Sequence, residues 1–518
     1  MRIRHCSMVE SRSKKGIANI KCSLFFYIVN LFLNIISRKV FIDYLGIEVL
    51  GLNTTVTNLL SFLNLAELGI GNAIAFTLYK PLFLKDFQVI REIVSVQAWL
   101  YRRIAYFISI GALGLMLLFP VIFKKIDLPL WYAYATFIVL LIASLLSYFV
   151  NYKQILLSAD QKEYKITLCV QGIKSLKTIT QGVVILYLIN GYVYWLTLEL
   201  VGVFVSALLL NKIVNKEYPW LFVKVSDGKK LRNKYPEIIV KTKQFFFHRI
   251  SSFVLNQTSP LIIYAFASLT MVAIYGNYML IVFGGIALVN AFFNGFNAGV
   301  GNLVAEGDKK KIKSFFWEIT SFRIWIAAII CVCFFKLCHP FISLWVGKEY
   351  VLDEMTFIVL TIYVFISLTR VNEAFLFAYG LYQDIWAPII EAILNLGLSV
   401  LLGFIWGLTG IISGVVISLV VIVCIWKPYF LFKMGFKDNI LEYVSRYIKY
   451  YMMIALSFIL SHLILNTMFI DFQSSYWKLF EYACTVGSCY AILSFLFFYL
   501  FDNGMRQFTR RLLNIFLK

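Results

Sequence analysis

Charge is scarce in this sequence. Only 14% of its 518 residues are Asp, Glu, Lys or Arg, against about 25% in an ordinary soluble domain. Long polar stretches are scarce too. The longest, Asn211 to Gln244, has 34 residues, below the size at which a soluble domain folds alone. A separate extramembrane catalytic domain is thereby excluded. Metal chemistry has little to draw on: there are four histidines, and no two aspartates are adjacent or separated by one residue. None of the nine cysteines forms a CxxC pair with His or Cys partners at metal spacing, so neither zinc nor a disulfide framework is indicated. The Cys331/Cys333 pair lies in an apolar run, where a thiol behaves as a small soft hydrophobe. No nucleophile–base pair or Gly-rich phosphate loop is recognisable. The expectation is a protein with no cofactor, no metal and no enzymatic activity. The basic N-terminus, Met1 to Lys21, lacks a small-residue cleavage site before the first apolar stretch, so that stretch is expected to be retained.

What the sequence has instead is apolar bulk. Hydrophobic residues make up 61%, including 48 Phe and 31 Tyr, and mean hydropathy is +0.80. The apolar residues come in runs of about 20, the length a helix needs to cross about 30 Å of hydrocarbon. An all-α polytopic membrane protein follows. Fourteen spans are read, over 22–40, 50–78, 104–123, 131–150, 166–189, 193–213, 246–267, 272–299, 322–338, 356–378, 387–405, 409–430, 450–469 and 478–500. Pro260 and Pro388 fall inside spans and are expected to kink them.

The formal charge of +21 has three possible meanings: nucleic acid, a membrane surface or an anionic substrate. The positions of the charges decide among them. With both termini and every even-to-odd connection on one side, that side carries 38 of the 48 Lys and Arg, and the other side carries seven. The positive-inside rule makes the rich side cytoplasmic, with both termini on it. Most of the surplus thus reads as topology and contact with anionic membrane lipids. Nucleic acid gains no support.

An internal repeat appears when the chain is slid by roughly 220 residues. Val49-Leu-Gly51-Leu-Asn53 falls opposite Val272-Ala-Ile-Tyr-Gly276-Asn277, and Gln154 to Tyr164 falls opposite Ala374 to Asp384. Six spans per half is an even number, so both halves insert the same way up, a parallel repeat. The expected organisation is a cytoplasmic N-terminus (1–21), an N-lobe (22–213), a basic linker (214–245) and a C-lobe (246–430). Two extra spans (431–500) and a cytoplasmic tail (501–518) complete it.

Apart from cations at span ends, three lie inside spans: Lys174, Lys177 and Arg370. Each costs about 2.5–3.5 kcal/mol at mid-bilayer on insertion scales, so they must meet a cavity, a partner or the interface. Lys174 and Lys177 are three apart and share a helix face. That helix also carries Gln171, Ser175, Thr178, Thr180 and Gln181, as a helix lining water would. Arg370 and Glu373 are likewise three apart, open to an internal salt bridge or to direct substrate contact. Glu67 lies among small residues that allow close helix approach, where structural hydrogen bonding is the simpler role. Arg38 and Lys39 end the first span and can snorkel to the interface. His248 and Arg249 begin the seventh beside the basic linker, with access from the cytoplasm. Glu199 and Glu391 remain as partners for the cations. The balance is cationic and suits a diphosphate or an acidic sugar, through charge-assisted contacts.

The stretch from Arg38-Lys-Val-Phe-Ile-Asp-Tyr-Leu-Gly46 through Gly51-Leu-Asn53, Leu63-Asn-Leu-Ala-Glu67-Leu-Gly-Ile-Gly71 and Leu78-Tyr-Lys-Pro81 resembles the N-terminal signature of polysaccharide transporters. These are the Wzx-type flippases of O-antigen and capsule repeat units, in the superfamily that also holds MATE exporters and lipid II flippases. Ser158-Ala-Asp160-Gln-Lys162, Lys216-Glu-Tyr-Pro219, Gly276-Asn-Tyr278, Val300-Gly-Asn302, Phe341-Ile-Ser-Leu-Trp345-Val-Gly347 and Pro388-Ile-Ile-Glu391 are similar as well, in order along nearly the whole chain. The resemblance implies two six-helix lobes in a V, plus two helices, alternating between inward- and outward-open states. It implies an undecaprenyl-diphosphate-linked oligosaccharide as substrate, with a polymerase and other polysaccharide-assembly membrane proteins as partners. It also implies that cavity cations receive the diphosphate, a part that Arg38 and Arg249 would play beside Lys174, Lys177 and Arg370.

Two other readings stand beside this one. A drug/cation antiporter would be expected to use buried carboxylates, against the cationic balance seen here. A membrane polymerase typically has one long outer loop, whereas the longest outer segment here, Leu337 to Glu354, has 18 residues. A sugar transferase would need clustered aspartates.

Overall fold

In hydrocarbon a backbone must satisfy its own polar groups, which leaves helices or closed barrels. A computed structural model of the chain describes residues 12–67, 69–124, 126–294, 296–381, 384, 386–466 and 475–516. Among them every regular element is helical. The chain is a polytopic all-α membrane protein. Among the described residues, ten helices are long and apolar enough to cross a membrane, with two shorter apolar helices besides.

The chain divides into two compact units, Met1–Ile250 and Ser251–Lys518. In the first, the principal helices are α1 (Arg12–Leu45), α2 (Ile47–Leu63), α3 (Ile70–Leu84), α4 (Phe87–Leu117), α5 (Trp131–Phe149), α6 (Glu163–Tyr187) and α7 (Gly191–Glu217). Helix α8 (Pro236–Gln257) begins there and runs into the second unit. In the second follow α9 (Ser259–Phe266), α10 (Leu269–Asn294), α11 (Asn297–Glu306), α12 (Lys309–Trp345), α13 (Glu354–Leu368) and α14 (Asn372–Ala378). The last four are α15 (Trp386–Leu419), α16 (Ile440–Asn466), α17 (Tyr476–Phe501) and α18 (Asn503–Phe516).

Side-chain caps start several of these helices. Asp86 accepts from the Val89 amide (3.1 Å) at α4, and Asp353 from Thr356 (2.9 Å) at α13. Asp308 accepts from Lys310 (3.0 Å) and Lys311 (3.2 Å) at α12. Each satisfies amides that the first turn leaves without a carbonyl.

Several expected spans are broken rather than continuous. The apolar run over 50–78 is two helices, α2 and α3, separated at Asn64–Gly69. The runs near 246–267 and 356–378 break at Thr258 and at Thr369–Val371. Pro260 therefore opens a new helix and does not bend a continuous one. Pro388 is the third residue of α15, where a missing amide costs nothing, so the expected kink there is absent. The real reversal in that region is Gly407 (φ 56°, ψ −133°), which folds the expected eleventh and twelfth spans against each other. A Cβ on Gly414 would stand 2.3 Å from the Ser399 nitrogen, so only glycine lets the two arms meet.

The first unit's core joins Ile74, Leu78, Ile90, Val94 and Ile108 to Leu156 and Leu210. It also takes in Tyr218, Tyr235 and Ile238, so the basic linker packs onto this unit. In the second, Ala328 and Val332 of α12 pack with Leu465, Val486 and Tyr490 of α16 and α17. The end of the chain docks on α12 as well. Arg511 of α18 grips the buried Glu318 carboxylate with two donors, at 2.9 and 3.1 Å.

Candidate functional site

The break between α13 and α14 gathers charged and polar side chains in the interior of the second unit. Breaking a helix frees carbonyls that need donors. One of them, Leu368 O, accepts from Arg323 Nε of α12 at 2.6 Å. Arg323 Nη2 donates to Asn290 Oδ1 at 2.8 Å, and the guanidinium lies 4.8 Å from the centroid of the Phe293 ring. Arg370 sits in the break itself. Its Nη1 is 3.7 Å from Glu373 Oε1, and its Nη2 is 3.7 Å from Glu391 Oε1 of α15. Glu373 Oε1 also takes the Lys427 ammonium at 2.5 Å.

Two cations, Arg370 and Lys427, thus share two carboxylates, and Arg323 faces the same break. Exposure is graded across the group: Glu391 is 5% exposed, Lys427 18%, Arg370 27% and Glu373 39%. One edge is closed and the other is open. Hydrogen-bonding capacity is left over inside. Among the described residues, Arg370 Nε, Asn372 Oδ1 and both amide atoms of Asn395 are buried without a partner. Asn395 lies one helical turn beyond Glu391 and is fully buried. Orphaned buried polar atoms are costly and uncommon. Here they lie beside two cations and two carboxylates, with the Arg323 guanidinium nearby adding one surplus positive charge, an arrangement able to take an anion that also accepts and donates hydrogen bonds.

The first unit separates the two lysines of α6. Lys177 Nζ lies 2.5 Å from Glu199 Oε1 of α7, and Gln181 Nε2 donates to Glu199 Oε2 at 3.1 Å. The Lys177 stem fills the notch at Gly202, whose Cβ would come within 2.8 Å of it. This pair joins two helices. Lys174 is exposed and, among the described residues, makes no ion pair. Beside it, Asn30 of α1 donates to Gln171 at 3.3 Å and faces Ser175 at 3.5 Å, a polar seam between α1 and α6.

The remaining residues singled out in the sequence are spread along the chain. Glu67, at the break between α2 and α3, accepts from Tyr101 at 3.0 Å; nearby Asn64 takes Ser144 (2.9 Å) and Tyr148 (3.2 Å). Glu67 therefore fastens a helix break. Arg38 is half-buried on α1, next to Lys39, whose ammonium reaches Asp43 at 3.0 Å. Arg249 lies on α8, with its side chain outside the described residues, as is that of His248.

The sequence does not single out Arg323 and Lys427, which fall at the ends of the expected spans 322–338 and 409–430. Arg323 is only 7% exposed, four turns inside a helix that begins at Lys309. A signal was available: the buried face of that helix starts with Ile312, Phe315 and Phe316, well before Arg323.

No family model matches the chain, and no curated protein matches it. Solved structures do. The chain is similar to the lipid II flippase MurJ in an inward closed conformation, with 14% identity and a TM-score of 0.61 over 93% of this chain and 99% of that one. It is similar to an inward-facing multidrug resistance MATE family transporter of the MOP superfamily, with 15% identity and a TM-score of 0.56 over 77% and 93%. A MATE protein in the bent conformation aligns at 13% identity and a TM-score of 0.50, over 81% and 95%. At such identities the likeness is one of fold, and the chain has the fold shared by these transporters.

Proposed function

We propose that this protein is a flippase that moves an undecaprenyl-diphosphate-linked oligosaccharide from the inner to the outer leaflet of a bacterial inner membrane. Both termini lie on the cytoplasmic side in this reading, as the distribution of Lys and Arg supports. The observation that carries it is Arg370, a half-buried guanidinium with two distant carboxylates at 3.7 Å and a buried Nε that has no partner among the described residues. Such a group has donors to offer an anion, and guanidinium fits a phosphate better than a point charge does. The fold shared with a lipid II flippase supports a lipid-linked substrate. Lys174 offers a second ammonium that no carboxylate holds among the described residues.

The test is reconstitution into liposomes with a fluorescent polyprenyl-diphosphate-linked oligosaccharide, scoring its transfer to the outer leaflet. Arg370→Gln should abolish transfer while the protein still assembles and inserts. Full transfer by that variant would remove Arg370 from the mechanism. Efflux of a drug driven by a cation gradient, without lipid transfer, would favour an antiporter over a flippase. In that case a carboxylate must be free to exchange, yet Glu373 is held by Lys427 at 2.5 Å.

A further inference from the structure

Helix α4 changes character along its length. Its first half carries Arg91, Arg102 and Arg103; beyond Arg103 it has no charged residue. Arg103, Phe107, Ile110 and Leu117 follow one another on one helix face. The three apolar members are 62%, 71% and 80% exposed. A cation at the foot of an exposed apolar stripe is where a membrane helix leaves hydrocarbon for the headgroup layer.

At that level the linker adds more positive charge. The single helical turn Gly228–Leu231 is pressed onto α4 so closely that a Cβ on Gly228 would lie 2.5 Å from both Ser95 O and Trp99 Cβ. The Lys224 amide donates to Ser95 Oγ at 3.3 Å, and Arg91 Nε donates to Trp220 O at 2.9 Å. Held in this way, Arg232 comes within 5.9 Å of the Trp99 ring, and Arg103 within 4.4 Å. Two guanidiniums therefore share one indole, with exposed Arg102 and Lys230 close by in sequence. The neighbouring carboxylate Glu92 is occupied by Lys234 and Tyr235, each at 2.6 Å. Like charges gathered on one ring repel, and an anion between them relieves that repulsion; among the described residues no carboxylate pairs with either guanidinium.

We infer that Trp99, Arg103 and Arg232, with Arg102 and Lys230, form a seat for the headgroup of an anionic phospholipid of the bilayer. Its acyl chains lie along the Phe107–Ile110–Leu117 stripe. The continuity of cation and apolar stripe on one helix face selects a lipid over a free anion, and the net positive charge selects an anionic lipid over a zwitterionic one.

The experiment compares the thermal unfolding midpoint of the full chain in neutral detergent with added dioleoylphosphatidylglycerol, dioleoylphosphatidylcholine or inorganic phosphate. The native chain should gain several degrees with phosphatidylglycerol and much less with the other two. Arg103→Gln/Arg232→Gln should lose most of that gain. Lys309→Gln/Lys310→Gln, an equal loss of charge on the second unit, should keep it. Should the first variant fail to fold, Arg102→Gln/Lys230→Gln, at two exposed positions, replaces it and should lose a substantial part of the gain. An unchanged gain in the seat variants, an equal loss in the control, or an equal gain from phosphate alone would each overturn the assignment.

Discussion

Lys177 and Lys174 stand one turn apart on the same helix and differ in kind. The first is locked to Glu199 at 2.5 Å, and the second meets no carboxylate within ion-pair distance among the described residues. Removing one partner of a largely buried pair strands the other charge. Lys177→Gln or Glu199→Gln should each destabilise the protein by up to about 3 kcal/mol, the lower end of that penalty. The double variant should recover part of the loss. Lys174→Gln should leave the unfolding midpoint unchanged and slow lipid transfer. A thermal scan beside a transfer assay separates the two roles; a midpoint that falls with Lys174→Gln contradicts the division.

Arg323 serves the helix break and not the open edge of the site. Its Nε covers Leu368 O, a carbonyl that the break leaves without an amide. Arg323→Leu should cost about 1–3 kcal/mol for the carbonyl left buried and bare. Arg323→Lys should recover little, because one ammonium cannot reach Leu368 O and Asn290 Oδ1 with the spread of a guanidinium. Equal midpoints for the Leu variant and the native chain would contradict this.

Asn395 gives the opposite signature. Neither of its amide atoms has a partner in a fully buried position. Replacing it with Leu should leave the unfolding midpoint unchanged or raise it, since a desolvated amide is exchanged for an apolar group of similar size. If the orphaned atoms serve the substrate, transfer should fall in the same variant. A lower midpoint with normal transfer would make Asn395 a packing residue.

Asp308 supplies a pH dependence. The amide of Lys311, then that of Lys310, and the nearby Lys311 charge hold this carboxyl below its ordinary value of 3.8. A carboxylate depressed in the folded state stabilises above its unfolded pKa, and the contribution disappears as pH falls through the folded value. Asp308→Asn keeps a capping oxygen but cannot titrate. Its unfolding midpoint should therefore decline less than that of the native chain as pH falls below about 4. Parallel declines would exclude the cap as a titrating element.

Much of the local order is legible in the residues. Lys174 and Lys177 fall on one face because a helix turns every 3.6 residues. Glu199 and Glu391 were available as partners for the cations by simple elimination of other acids. Arg323 and Lys427 were not recognisable as members of a buried group. Each lies near the end of an apolar run, and in sequence a charge at the end of a span is indistinguishable from one in the following loop. Only the start of α12 at the Asp308 cap moves Arg323 indoors.

The sequence by itself determined the class of molecule: sparse charge marks a membrane protein, and apolar runs of about 20 residues fit spanning helices and are twice the length a barrel strand needs. It also determined which residues share a helix face, because that depends on period alone. The tertiary structure decided which faces meet. It gave Lys177 to Glu199 and left Lys174 exposed, divided apolar runs at Asn64–Gly69 and Thr369–Val371, and set Arg323 beside Arg370's break. Those outcomes depend on where one helix crosses another, a quantity set by side-chain packing between distant segments and absent from any local pattern.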